Sequence, residues 1–141
     1  MISSIIDGVT AALEEEFPGV KVYPETVRQG LKEPCFILRL VRPTNAPMLS
    51  GRYRRSFLVS VQYIPESTAE EKAECYDVND RLFRCLEYIK ASGNLVRGTG
   101  ASSEYHGGGF TFFITYRMFM KELTETERME YIAIENPIKG R

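Results

Sequence analysis

The side chains most used in metal and nucleophile chemistry are scarce in this 141-residue chain. There is one histidine, His106, and there are three widely spaced cysteines, Cys35, Cys75 and Cys85. No Cys-x-x-Cys pair occurs, and a structural zinc site takes four clustered ligands, so zinc is not expected. Three reduced, mostly buried thiols in a cytosolic protein are expected instead. No apolar run reaches the ~18 residues that a membrane-spanning helix requires. The opening Met1-Ile2-Ser3-Ser4-Ile5-Ile6-Asp7 lacks the basic flank and long apolar stretch of a signal peptide, so none is expected. Neither sign of charge dominates. The net charge is -1 and the pI about 5.9, which disfavours a generic basic nucleic-acid binder. Repeats, low-complexity tracts and linkers are also missing.

What is present is ordinary globular composition, 43% hydrophobic and 26% charged with 11 Gly and 7 Pro. This length fits one domain, 1–141, with 123–141 as a C-terminal extension or edge strand. From Ser3 to Phe17, apolar residues recur at three- and four-residue steps, which predicts a helix capped by Ser3 or Ser4 and ended by Pro18-Gly19. Alternation predicts a short strand at Val20–Tyr23, and the apolar run Cys35–Val41 a buried one. Pro43, Pro47 and Gly51 read as an irregular loop. Arg52–Ile64 is a long strand with Phe57, Val59, Val61 and Tyr63 on one face. It forms a long hairpin with the strand before it. Ser67 or Thr68 caps a second helix whose apolar stripe is Ala69, Ala73, Tyr76, Leu82, Phe83, Leu86 and Ile89, stopped at Ser92-Gly93-Asn94. Leu95–Tyr105 and Phe110–Lys121 are strands joined by a turn at His106–Gly109. Met129–Ile134 alternates weakly, as an edge strand does. The fold class expected is α+β, with a mixed or mostly antiparallel sheet packed with two main helices.

Catalytic signatures are not evident. A glycine turn with φ > 0 explains Gly107–Gly109 without involving His106. No helix or Gly-Lys-Ser/Thr follows the glycines, so they make no phosphate cradle. Cys35 sits in an apolar strand, which argues for packing over nucleophilic chemistry. No enzyme, cofactor or metal is expected.

The charge distribution is more informative. Pro34–Ile64 carries Arg39, Arg42, Arg52, Arg54 and Arg55 with no acid or lysine. Glu66–Asp80 then carries Glu66, Glu70, Glu71, Glu74, Asp77 and Asp80 against Lys72 alone. Arginine suits bidentate pairing to carboxylate or phosphate. The two clusters can pair within one fold. They can also form a head-to-tail interface between copies, or the arginines can contact nucleic-acid phosphates. On the second reading, Arg54→Glu with Arg55→Glu blocks assembly and leaves the monomer folded.

The strings Phe17-Pro18-Gly19-Val20-Lys21-Val22-Tyr23 and Gln29-Gly30-Leu31-Lys32-Glu33-Pro34-Cys35-Phe36-Ile37 resemble the small tail terminator family of contractile-tailed phages and phage-tail-like particles. So do Gly51-Arg52-Tyr53-Arg54-Arg55, Val61-Gln62-Tyr63-Ile64-Pro65 and Leu95-Val96-Arg97-Gly98. The resemblance runs over roughly Met1 to Lys121. It implies a small α+β domain with no active site. It also implies a ring, usually hexameric, that caps the head-proximal end of the tail tube and sheath and meets neck, collar or connector proteins. R-type bacteriocin-like particles carry such a ring at their closed end. The implied location is the virion or tail-like particle, assembled in the bacterial cytoplasm, with DNA passing through the lumen where a head is attached. A head–tail joining or tail completion protein is the alternative, and a nucleic-acid-binding α+β domain a further one.

Overall fold

The computed structural model describes residues 2–27, 29–66, 71–122 and 131–135, without the side chains of 2, 71, 121–122 and 131–135. In chain order the elements are α1 (Ile2–Glu16), β1 (Lys21–Pro24), β2 (Cys35–Pro47), β3 (Arg52–Ile64), α2 (Glu71–Cys85), β4 (Tyr88–Ala91), β5 (Asn94–His106), β6 (Gly109–Glu122) and β7 (Tyr131–Glu135). The strands form one sheet in the order β1-β2-β3-β6-β5-β4, with β7 also on β6. Among the described residues, the β1–β2 pair is parallel and the other pairs are antiparallel. This is the mixed α+β arrangement that the patterning predicts, built as a single sheet. β3 runs along one edge of β6 from Tyr63↔Phe110 to Arg52↔Lys121. β5 and β7 share the opposite edge, β5 near Phe110 and β7 near Met120.

Strand alternation places the core on one face of this sheet. Phe36 and Leu38 of β2, Phe57, Val59, Val61 and Tyr63 of β3, and every second residue from Phe110 to Met120 of β6 are buried. α1 adds Ile5, Val9, Leu13 and Phe17, a stripe at four-residue steps. α2 adds Cys75, Val78 and Leu82, with Leu86 just beyond its end. Arg81 ties the helices together. Its Nε donates to Glu16 Oε2 at 2.9 Å and its Nη2 to the Glu16 carbonyl at 2.6 Å, while the guanidinium lies 4.3 Å from the centre of the Phe17 ring. A cation there also complements the C-terminal end of α1.

Three expectations are corrected here. α1 begins at Ile2, ahead of both serines proposed as caps; Ser4 instead accepts a hydrogen bond from Ser92. The second helix ends at Cys85, and Ile89 belongs to β4. Ile89 is buried in either case, so its helical spacing was coincidental. The Ser67 and Thr68 caps lie outside the described residues. Last, β2 continues through Pro43 to Pro47, where a loop is expected from the prolines.

Hydrogen-bond alternation accounts for the prolines. The Met48 amide donates to the Arg52 carbonyl at 2.7 Å, so the next pair, Pro47↔Tyr53, is a non-hydrogen-bonded one, as is Pro43↔Phe57. Both proline nitrogens face the outer edge. β1 covers that edge only from Cys35 to Leu38, so neither proline removes a ladder bond, the situation in which edge strands tolerate proline. The connection is thus Met48–Gly51, one 3-10 turn with Ser50 at φ 62°.

At the β5–β6 turn only Gly109 has positive φ, +128°. A Cβ there would stand 2.0 Å from the Tyr63 carbonyl oxygen, whereas one at Gly107 would meet open space. Gly109→Ala is expected to cost about 2 kcal/mol or more and Gly107→Ala less than about 0.5 kcal/mol, compared by urea unfolding.

Candidate functional site

Register assigns the arginines to faces. Arg39 pairs with Ser60, Arg42 with Leu58, and Arg54 with Ala46. These positions, with Arg52 and Arg117, alternate out of phase with the core residues, so they occupy the face turned away from the helices. Arg55 lies opposite Met118 on the helix-side face, 5.3 Å from the Phe57 ring, with its Nε buried. The adjacent Arg54 and Arg55 therefore point to opposite sides. A double reversal there would disturb packing as well as surface charge.

Arg39 pairs with Glu25 at 3.0 Å, both half-exposed, a contact of the small value typical of surface ion pairs. Among the described residues, no carboxylate stands within ion-pair distance of Arg42, Arg52 or Arg54. Leu58 beside Arg42 and Phe119 beside Arg54 share this face, half-buried, with Phe113 further along near Arg39. Beyond the last helix-covered positions, β2 and β3 run on as an arm whose tip exposes Met48 at 47% and Leu49 at 86%.

The acidic residues sit on the opposite side. Glu74 accepts a hydrogen bond from the Tyr63 hydroxyl. Burial, and then this carboxylate, push the Tyr63 pKa well above its ordinary value. Asp77 makes a loose 3.8 Å contact with Arg81 and is otherwise exposed. Glu66 and Asp80 are exposed. Glu70, and the side chain of Glu71, lie outside the described residues. The sheet thus stands between Arg42, Arg52 and Arg54 and the acids of α2, and it does not bring the two clusters together.

Three groups escape the sequence pattern. Arg117 is legible only as an off-face position of β6. Tyr76 and Phe83, expected in the helix stripe, are exposed, and Cys75 and Val78 take the buried positions. Tyr76 meets Tyr105 edge-on at 5.4 Å, and Asn79 Nδ2 donates to the Tyr105 hydroxyl at 3.2 Å.

None of the candidate nucleophiles is activated. Burial raises the Cys35 pKa, with Glu33 adding to it, and burial pushes Cys85 up to about 12. His106 hydrogen-bonds Thr111 at 3.0 Å on the surface. Among the described residues, no group of three His, Cys, Asp or Glu side chains could hold a metal ion. No helix among them is long and apolar enough to cross a membrane.

A small α+β domain with charge separated across its sheet, and with the Cys35 and Cys85 thiols pushed by burial away from the thiolate, has the character of a structural building block. Consistent with this, the chain matches the phage tail terminator protein family over residues 4–129. It belongs to that family, and its role is structural, in the phage tail. No curated protein matches. Of the solved structures that match, one is similar at 15% identity, over 86% of this chain and 93% of its own, with a TM-score of 0.39, too loose a likeness to support further argument.

At pH 8 the folded protein is expected to react with an alkylating reagent at least tenfold more slowly than the urea-unfolded chain, which exposes all three thiols. Mass spectrometry of the labelled forms measures it.

Proposed function

We propose that this chain forms a hexameric ring on the head-proximal end of a contractile tail. The ring halts growth of tube and sheath and offers neck or collar proteins a joining surface. Family membership supports the place in the tail. The observation that carries self-association is that Arg42, Arg52 and Arg54, on one side of the sheet, have no ion-pair partner among the described residues while the acids of α2 lie on the other. In a ring, the arginine face of one copy meets the acidic helix of the next, through Arg39, Arg42, Arg52 and Arg54 on one side and Glu66, Glu70, Glu71, Glu74 and Asp77 on the other. Arg55 supports the arm from its other face. Such a heterologous contact repeats around an axis and closes when the rotation permits. A subunit that ends a polymer must bind the tube on one side and fail to template another layer on the other. Separate lateral and axial surfaces meet that demand. In particles with a head, DNA passes through the lumen of this ring, and assembly takes place in the bacterial cytoplasm.

Arg52→Glu with Arg54→Glu is expected to abolish rings and leave tubes of uncontrolled length in electron micrographs. The monomer's urea midpoint should be unchanged, because both side chains are exposed. Normal rings from this variant would remove the arginine face from the interface. Loss of gel-shift binding to duplex DNA without loss of rings would assign the face to nucleic acid instead.

A further inference from the structure

The arm tip and the Tyr76–Tyr105 pair lie at opposite ends of the sheet, since Tyr105 pairs with Phe110 and Phe110 with Tyr63 at the far end of β3. Met48 and Leu49 sit where β3 begins, and Gly109 packs against Tyr63 near its end. The strand between them has 13 residues, which at about 3.3 Å per residue spans roughly 40 Å. A chain cannot bring its own tip to its own tyrosines.

At the tyrosine end is a depression of about 280 Å³ lined by Lys72, Cys75, Tyr76, Tyr105, His106 and two turn glycines, its surface more apolar than polar. Cavities of roughly 150 Å³ admit a benzene-sized group, so a leucine side chain fits. Tyr76 and Tyr105 are half-exposed there, at 55% and 48%, although large aromatic surfaces gain most from being covered. The surroundings differ in charge. Asp80 on α2, whose carboxylate acts on Tyr105, and Glu66, whose neighbour Pro65 packs on Gly109, are exposed beside the depression, and Lys72 and His106 are the basic side chains in its lining. Arg52 and Arg54 flank the tip, and Arg42 lies further back on the same face. A positively flanked apolar tip and a negatively rimmed apolar depression are complementary, and each copy carries one of each.

We propose that the β2–β3 tip of one copy seats Leu49, with Met48 beside it, in the Tyr76–Tyr105 depression of the next copy. This rests on the ring reading and specifies its lateral contact. The apolar seat fixes the register between neighbours, while the arginines and the acids of α2 steer the approach and exclude the reversed orientation. Because the two halves are different surfaces on one chain, disabling either leaves the other intact.

The test uses Leu49→Asp, Tyr105→Asp and, as a control, Leu95→Asp at a leucine on β5 as exposed as Tyr105. Each is followed by sedimentation velocity and native mass spectrometry, alone and with tube protein. Circular dichroism confirms folding; should Tyr105→Asp fail to fold, Tyr76→Asp replaces it. The expected result is that each single variant loses at least tenfold in association and makes no ring. Leu95→Asp assembles like the wild type. Leu49→Asp mixed with Tyr105→Asp gives one-to-one dimers and nothing larger, because only one contact in the mixture is intact. Wild-type rings accompanied by rings from Leu49→Asp would overturn the tip-and-depression contact and leave the ring standing. A wild-type chain that stays monomeric even on tubes would overturn the ring, and this contact with it.

Discussion

A long antiparallel pair covered by helices along only part of its length is the constraint on which the molecule depends. β3 is paired along its whole length, by β2 on one side and β6 on the other. α1 and α2 cover one face of that sheet near the Tyr63 end. The far end continues as an arm held by its ladder and by Phe57, Tyr116, Met118 and Met120. Two consequences follow from the pleat. Alternation sends Arg52 and Arg54 to one side and Arg55 to the other. The length of the ladder keeps the tip of the arm far from α2. Charge that would neutralise itself in a more compact domain is held apart.

Separated charge costs a lone chain little in water, where exposed ions are well solvated and screened beyond about 10 Å at moderate salt. It becomes useful when copies meet, since arginine clusters and carboxylates on different surfaces favour one orientation of approach. Apolar residues at the tip and between the tyrosines then supply burial that ion pairs alone do not. Chemistry of another kind finds little support. Burial raises the pKa of Cys35 and Cys85, and His106 lies on the surface beside a threonine. A structural phage tail protein matches this character.

Much of the fold was legible because burial and alternation agree. β3 is found at the bounds its pattern predicts, and the buried face of β6 is Phe110, Phe112, Ile114, Tyr116, Met118 and Met120, as read from the sequence. The failures have physical causes. Pro43 and Pro47 read as a loop because a proline in a paired strand loses a ladder bond, yet both nitrogens face an edge that β1 does not reach. Ile89 extended the helix on paper because a buried residue four positions past Cys85 fits either period. Tyr76 was assigned to the core because its spacing suits the stripe, while the smaller Cys75 and Val78 fill that space. Of the interface residues, the arginine and acid clusters stood out by composition. Their division between two faces needed the register, including the bulge between Leu40 and Arg42. The role of Leu49 and Tyr105 needed the distance between the two ends of the sheet, which no local pattern encodes.

The central claim is that this chain's arginine face and the exposed acids of α2 find each other between copies. An electron cryo-microscopy map of the head-proximal end of an intact tail tests it most directly. The account predicts a single closed ring in which every hairpin arm lies against α2 of its neighbour. Arms that reach into solvent or lie along the tube, with no neighbour's α2 beside them, would contradict it.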